Sequence, residues 1–176
     1  LASGVRYLPN AAGWQVTDGR RVHLLLDGKA CVLQARQLLI ATGGRARLPG
    51  AEWAKHPQVY TLRHWQDAQR LKQRLAQSQR LAIIGGGWIG LEIAASARKC
   101  GVAVTLFEQQ PALCMRSVSR DVSAHLALMH RQQGVDVRTG CGGLELEDDN
   151  GHPVIQCDGK RETFDAVVVG IGVDLN

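Results

Sequence analysis

The sequence predicts an α/β fold: a central parallel sheet with helices, accompanied by antiparallel β-meander. Three observations carry this. The run from Leu81 to Glu108 reads as strand, glycine turn, helix, strand and terminal acid. Four Asp-Gly or Asn-Gly pairs (Asp18-Gly19, Asp27-Gly28, Asn150-Gly151, Asp158-Gly159) stand between short strand-like runs, as hairpin turns do. Helix-period stretches alternate with apolar strand runs through the middle of the chain.

Taken in order, Trp14 to Thr17, Val22 to Leu26 and Cys31 to Leu33 form a first meander joined by type I′ turns at Asp18-Gly19 and Asp27-Gly28. Leu38, Leu39 and Ile40 read as a buried strand entering Ala41-Thr42-Gly43-Gly44, and a loop punctuated by Pro49 and Gly50 follows. From Leu62 to Gln77 the pattern is helical, with Trp65, Ala68, Leu71 and Leu75 on one face. Leu81 to Ile84 is a short apolar strand, and Ile89, Ile93, Ala94 and Ala97 mark the helix after it, closed by Gly101. Val102 to Phe107 is the next strand. Ser119 is placed to cap a helix carrying Val122, Leu126 and Met129 on one face, and Gly134 ends it. Val135 to Arg138 is a strand, a second meander turns at Asn150-Gly151 and Asp158-Gly159, and Ala166 to Val169 is a final apolar strand entering Gly170-Ile171-Gly172.

The chemistry lies in the glycine turn. Gly85, Gly87 and Gly90 fall at the G-x-G-x-x-G spacing that opens a dinucleotide-binding helix. Gly85 permits the tight turn, Gly87 removes the Cβ that would hold a pyrophosphate off the backbone, and Gly90 lets the helix pack closely on the strand. The helix N-terminus then offers free N–H groups to phosphate. Glu108 lies 23 residues after Gly85, close to the roughly 20 expected for the acid that accepts hydrogen bonds from the adenosine ribose. A carboxylate there repels a 2′-phosphate, and Gln109, Gln110 and Pro111 supply no adjacent cation, so NADH is expected over NADPH. Arg116, eight residues on, is open to two readings: a partner for a phosphate, or a contact on the adenosine side of NADH.

Composition excludes other classes. With 45% hydrophobic and 21% charged residues in 176, the chain reads as an ordinary globular protein able to bury a sizeable core. No apolar run approaches the roughly 20 residues of a spanning helix, and no signal pattern opens the chain. The start at Leu1 and the stop just past an apolar strand read as those of a piece of a longer polypeptide. The five cysteines (Cys31, Cys100, Cys114, Cys141, Cys157) show no Cys-x-x-Cys and no close histidine, so they read as reduced thiols of a cytoplasmic protein, with no metal site expected. His125 and His130, five apart, do not share a helix face.

Four stretches match a known family in its own order: L-L-I-A-T-G-G (Leu38 to Gly44), T-L-R-H-W-Q-D-A-Q-R-L (Thr61 to Leu71), I-I-G-G-G-W-I-G-L-E-I-A-A-S (Ile83 to Ser96) and V-V-V-G-I-G-V (Val167 to Val173). In these the chain resembles the FAD-containing, NADH-dependent ferredoxin reductases of bacterial aromatic-ring dioxygenase and cytochrome P450 systems, within the pyridine nucleotide-disulfide oxidoreductases. The resemblance implies a Rossmann-like NADH-binding domain inserted into an FAD domain. Residues 1–47 would then be a β-rich part of the FAD-binding domain, 48–170 the NADH-binding domain, and 171–176 the start of the return. The family's glycine motif for the FAD pyrophosphate and its later Gly-Asp motif are not within these residues, so the chain by itself is expected to bind NADH and to hold FAD poorly.

The same resemblance assigns site residues. Gly85, Gly87 and Gly90 would accept the pyrophosphate, with Glu108 and Arg116 on the adenosine half and Ile89 among the cofactor-binding residues. Glu92 matches the family's acid near the nicotinamide carboxamide, or else stabilises a helix N-terminus. Trp88 stands beside the nicotinamide pocket or packs under the helix. Gly170 and Gly172 would let backbone approach NADH, or merely turn the chain. Thr42 and Gly43 match the A-T-G segment between the FAD and NADH domains. Asp174-Leu175-Asn176 departs from the family's Pro-Asn, which leaves the path of the last residues open.

The implied activity is hydride transfer from NADH to FAD, then single electrons to a two-iron ferredoxin, with no residue here needed as acid, base or nucleophile. A net charge of +5 suits steering of an acidic ferredoxin, and Arg63, Arg70, Lys72, Arg74 and Arg80 are candidates for its docking. Other readings are a disulfide, rubredoxin or nitrite reductase component, or an apoptosis-inducing-factor-like flavoprotein that binds nucleic acid. The last is disfavoured by an aromatic content of 5%, too low for a stacking platform.

Overall fold

The computed structural model describes residues 8–39, 41 and 43–175, with the side chain of Trp14 left aside. The chain divides into two compact units, Leu1–Thr42 and Gly43–Asn176.

The first unit holds the predicted meander, β1 (Ala11–Thr17), β2 (Arg21–Leu26) and β3 (Lys29–Gln34), paired antiparallel in that order. Leu26 pairs with Lys29 across Asp27-Gly28, whose φ values of 49° and 77° make the expected type I′ turn. The first turn differs from expectation. Thr17 pairs with Arg21, so three residues form the loop, and the positive φ falls on Gly19 and Arg20 instead of Asp18 and Gly19. The end of β3 holds it open: Gln34 Nε2 donates to the Gly19 carbonyl (2.6 Å) and the Ala35 N–H to that of Arg20 (3.2 Å). Leu38 and Leu39 are not a buried strand. Neither belongs to a strand and Leu39 is 90% exposed, because an apolar run forms a strand only where a sheet edge takes up its backbone groups. Ile40 and Thr42 lie outside the described residues.

The second unit is built on a five-stranded parallel sheet in the order β5-β12-β6-β7-β8. Its strands are β5 (Val59–Thr61), β6 (Arg80–Ile84), β7 (Ala103–Glu108), β8 (Val135–Thr139) and β12 (Ala166–Val169). Alternation along the strands sends Leu81, Ile83, Leu106 and Val168 to one face and Ala82, Ile84, Phe107, Val167 and Val169 to the other. Helices α2 (Trp65–Leu75), α3 (Trp88–Lys99) and α4 (Arg120–Gln132) cover the first face. The second is covered by the antiparallel meander β9 (Glu145–Asp149), β10 (His152–Cys157) and β11 (Lys160–Thr163), together with the short helix α1 (Ala51–Lys55), whose Trp53 is fully buried. Both meander turns carry the expected positive φ pairs, at Asn150-Gly151 and Asp158-Gly159. The class is therefore the predicted α/β.

Three helix faces differ from the sequence reading. Trp65 is 72% exposed, since helical side chains lean toward the N-terminus and Trp65 is the first residue of α2; Leu71 and Leu75 make the buried contact. Ile89 is likewise exposed at the second position of α3, whose buried face begins at Gly90. In α4 the buried residues are Ser123 and His130, with Leu126 and Ala127 partly buried, while Val122 and Met129 face out. The buried stripe is therefore turned by one residue from the apolar pattern, with Ser123 in place of Val122 and His130 in place of Met129. Ser119 caps α4 as expected, its Oγ accepting the Val122 N–H at 3.4 Å.

Two strands bracket the second unit. β4 (Gly44–Ala46) and β13 (Val173–Leu175) pair antiparallel, so closely that a Cβ on Gly44 would stand 2.5 Å from the Asp174 carbonyl oxygen. Arg47 Nε reaches Asp174 Oδ1 at 2.8 Å. No helix among the described residues is long and apolar enough to cross a membrane.

Candidate functional site

The glycine turn follows β6 and is fixed from three sides. Gly85 has φ +109°, donates to the Phe107 carbonyl of β7 (2.8 Å), and has no room for a Cβ, which would lie 2.5 Å from the Gly170 carbonyl oxygen. Gly170 in turn donates to the Ile84 carbonyl at 2.7 Å. A Cβ on Gly90 would stand 2.0 Å from the Gly85 oxygen and 3.3 Å from Ile83 Cγ2, so this glycine lets α3 lie on β6. Gly87 is different. It is the N-cap of α3, with extended backbone, and a Cβ there would meet nothing within 4 Å. No side chain caps α3, whereas α4 is capped by Ser119. Its first N–H groups thus carry the positive end of the helix dipole toward open space, the condition under which a helix N-terminus receives an anion.

Glu108 ends β7 with its carboxylate turned into the same turn. Oε2 accepts the Gly86 N–H at 2.5 Å and Oε1 the Gln110 N–H at 2.7 Å. Both oxygens are oriented by backbone, and each keeps acceptor capacity for a further donor. The loop after β7 returns to the turn through Cys114, whose N–H donates to the Gly86 carbonyl at 2.9 Å. Burial, and then the Glu108 charge, push the Cys114 thiol up from its ordinary range, so it stays protonated. Gly85, Gly87, Glu108, Gln110, Cys114, Arg116 and Gly172, with others, line a cleft of about 500 Å³.

Of the residues expected at the site, the structure gathers Gly85, Gly87, Glu108, Arg116 and Gly172 around this cleft, while Gly90 and Gly170 support it from behind. Trp88 opens α3 and is half-exposed, so it does not pack under the helix. Ile89 and Glu92 are exposed on α3 outside the cleft lining. Glu92 is the fifth residue of α3, beyond its first turn, which removes the reading as a dipole-stabilising acid, since that effect fades past the first turn. Gly43 begins the second unit with φ +79°, and Thr42 lies outside the described residues. Arg63, Arg70, Arg74 and Arg80 are engaged within the chain, respectively by the Gly44 carbonyl (3.2 Å), Asp67 (2.9 Å), the Asp165 carbonyl (2.6 Å) and Glu162 (3.2 Å). Arg70 and Arg80 are thus paired with carboxylates, whereas Arg63 and Arg74 bond only to carbonyl oxygens.

Sequence reasoning missed Gly86 and Leu113. A Cβ on Gly86 would stand 2.5 Å from Leu113 Cδ2 and 3.0 Å from Glu108 Oε2. A glycine between the two motif glycines, in Gly85-Gly86-Gly87, was the available signal for Gly86. Nothing in the sequence pointed to Leu113, or to Cys114 with its φ of +50°.

A parallel sheet, an uncapped helix after a glycine turn and a strand-end acid at its side define a dinucleotide-binding α/β protein. The whole chain, residues 1–176, matches the family model described as pyridine nucleotide-disulphide oxidoreductase, and the chain belongs to that family. Among curated relatives it is 44% identical over 153 residues to the ferredoxin–NAD(+) reductase component of the p-cumate 2,3-dioxygenase system of Pseudomonas putida, covering 87% of this chain and 37% of the relative. It is 37% identical over 182 residues to putidaredoxin reductase of Pseudomonas putida, covering 99% and 43%. The solved ferredoxin reductase for the CYP199A2 system of Rhodopseudomonas palustris superposes with a TM-score of 0.74 at 30% identity, over 93% of this chain and 40% of that one. Putidaredoxin reductase in its covalent complex with putidaredoxin gives 0.70 at 37% identity, over 93% and 40%. The chain spans about two-fifths of the length of these proteins.

Proposed function

We propose that this chain is the NADH-binding portion of a flavoprotein ferredoxin reductase, which passes hydride from NADH to FAD and single electrons to a two-iron ferredoxin serving an oxygenase. Residues 48–170 are the NADH-binding domain in this reading, and 1–47 and 171–176 belong to the FAD-binding domain. The observation that carries it is the open space at Gly87 on the uncapped N-terminus of α3, beside a carboxylate already oriented by Gly86 and Gln110. The likeness to named ferredoxin reductases supports the rest.

The residues present fit a dinucleotide. Gly87 and the first N–H groups of α3 receive the pyrophosphate, and Glu108 accepts from the adenosine ribose hydroxyls with the lone pairs left free by Gly86 and Gln110. The same carboxylate repels a 2′-phosphate, so NADH is favoured over NADPH, and Arg116 bonds the adenosine side. Trp88, half-exposed at the start of α3, borders the nicotinamide, and Glu92 orients its carboxamide. Gly170 and Gly172 allow the backbone to approach NADH, and Thr42 and Gly43 belong to the A-T-G segment joining the FAD- and NADH-binding domains. FAD, when bound, supplies an acceptor that takes a hydride and gives up electrons one at a time. The chain's own work is orientation and neutralisation of charge, without a residue acting as acid, base or nucleophile. A ferredoxin of acidic surface is drawn by the net charge of +5, and the cytoplasm, where NADH is available, is the proposed location.

The test is turnover of the polypeptide that carries this chain together with its FAD-binding segments. NADH-driven reduction of a two-iron ferredoxin, without reduction of disulfide substrates, is the expected result. Disulfide reduction without ferredoxin reduction contradicts the proposal.

A further inference from the structure

Three side chains outside the nucleotide contacts converge where the meander meets the cleft. Cys141 follows β8 in a loop held to the Glu108 carbonyl by its own N–H at 3.0 Å, and its residue forms part of the cleft wall. Cys157 ends β10, and Asp158 opens the turn after it with φ +49°. The two cysteines are far apart in the sequence with no metal-binding spacing, yet the meander folds them together. Their Sγ atoms and an Asp158 carboxylate oxygen all lie within 4.8 Å of one another. Both thiols are buried and Asp158 is exposed.

We propose that Cys141, Cys157 and Asp158 form a three-ligand site for a thiophilic divalent cation of the zinc class. Two sulfurs and one carboxylate oxygen are a donor set that such a cation accepts, with water as the fourth ligand. Two sulfurs each about 2.3 Å from a tetrahedral zinc stand roughly 3.8 Å apart. Ligand atoms already within 4.8 Å therefore close on an ion by side-chain shifts of about 1 Å, as rotation about χ1 supplies. The Cys157 thiol lies 3.5 Å from Asp158 Oδ2 and donates to it, so the cation takes the place of a proton already shared along that line. Binding releases both thiol protons to solvent, transfers no electron and requires no oxidant. The exposed carboxylate supplies the way in. Once bound, the ion ties the loop after β8 to the end of β10.

The experiment uses the 176-residue chain with Cys31→Ser and Cys100→Ser, which removes the two thiols that are not buried and leaves buried Cys114 as the one thiol outside the cluster, under a non-thiol reductant. Zinc is titrated by calorimetry, and cadmium is titrated for the ultraviolet charge-transfer absorption of a cadmium–thiolate bond. The expected result is one saturable equivalent, the charge-transfer band, and a raised Tm with zinc. Cys141→Ser abolishes all three. Asp158→Asn weakens zinc binding by roughly tenfold or more while leaving the metal-free Tm unchanged, because Asn tolerates the positive φ of an exposed turn. Should Cys141→Ser fail to fold, the parent stoichiometry and Asp158→Asn decide the matter between them. No saturable equivalent, or binding that Asp158→Asn leaves unchanged, overturns the site.

Discussion

Gly87→Ala and Gly90→Ala add the same methyl group three residues apart, and the structure assigns them opposite consequences. At Gly87 the backbone is extended (φ −82°, ψ −179°) and the new Cβ meets nothing within 4 Å. Alanine adopts such angles freely, so stability is expected to change by no more than about 0.5 kcal/mol. The methyl group instead occupies the approach of the pyrophosphate. Displacing one charge-assisted N–H bond of about 1.5–3 kcal/mol weakens NADH roughly 10- to 100-fold. At Gly90 the Cβ would lie 2.0 Å from the Gly85 oxygen, so α3, which buries Leu91, Ile93, Ala94 and Ala97, must retreat from the sheet by roughly 1 Å. Overpacking of that kind costs about 1–3 kcal/mol, or roughly 3–10 °C in Tm for a chain of this size. Thermal unfolding followed by circular dichroism, with NADH titration of each folded variant, separates the two. The reasoning is refuted if Gly87→Ala binds NADH like the parent, or if it lowers Tm as much as Gly90→Ala does.

Other consequences are equally specific. Glu108→Ala strips the acceptor from the Gly86 and Gln110 N–H groups and is expected to cost about 1–2 kcal/mol in urea unfolding and to narrow the NADH over NADPH preference in paired titrations. Leu113→Ala, at a residue with 0% exposure against the glycine turn, should cost about 2–5 kcal/mol. Trp65→Ala should stay within about 0.5 kcal/mol, and a larger loss in the same denaturation series would place Trp65 in the core after all. Stability should also fall with acid in two stages. His130, whose burial lowers its pKa from 6.5, is protonated in the unfolded chain before the folded one, so stability declines as pH drops below about 6.5. Glu162, lowered first by its bond from Arg138, Asp67, lowered first by the His64 N–H, and Asp165, where the Arg80 and Gln79 N–H groups outweigh burial, hold protons less tightly when folded. Their contribution is complete above about 4.5 and is lost as pH falls through their depressed values. Unfolding midpoints that stay flat between pH 7 and 3 would contradict both stages.

The parts legible in the sequence were those fixed by local geometry. The turn at Gly85 and the type I′ pairs at Asp27-Gly28, Asn150-Gly151 and Asp158-Gly159 need positive φ, which few residues supply, and β6 and β12 are continuous apolar runs because both their faces are covered. What escaped depends on partners distant in the chain. β5 is three residues long and is a strand only because β12 receives it, and β4 exists through β13, more than a hundred residues later. The five residues of α1 carry too little periodicity to announce a helix, yet Trp53 anchors it against the sheet. Leu38 and Leu39 failed in the other direction, their composition promising a strand that pairs with none of the described strands. At the site, Gly85, Gly87, Gly90 and Glu108 followed from spacing alone. The hold of Glu108 on Gly86 and the meeting of Cys141 with Cys157 are products of tertiary folding and have no signature in spacing.

The central claim is that the turn at Gly85 to Gly90, with Glu108, is a working site for NADH. Parallel calorimetric titrations of the 176-residue chain with NADH and NADPH at one fixed ionic strength test it most directly. The account predicts saturable binding of one NADH per chain and much weaker binding of NADPH. Failure of a folded chain to bind either cofactor, or tighter binding of NADPH, would contradict it, the second result showing that Arg116 outweighs Glu108.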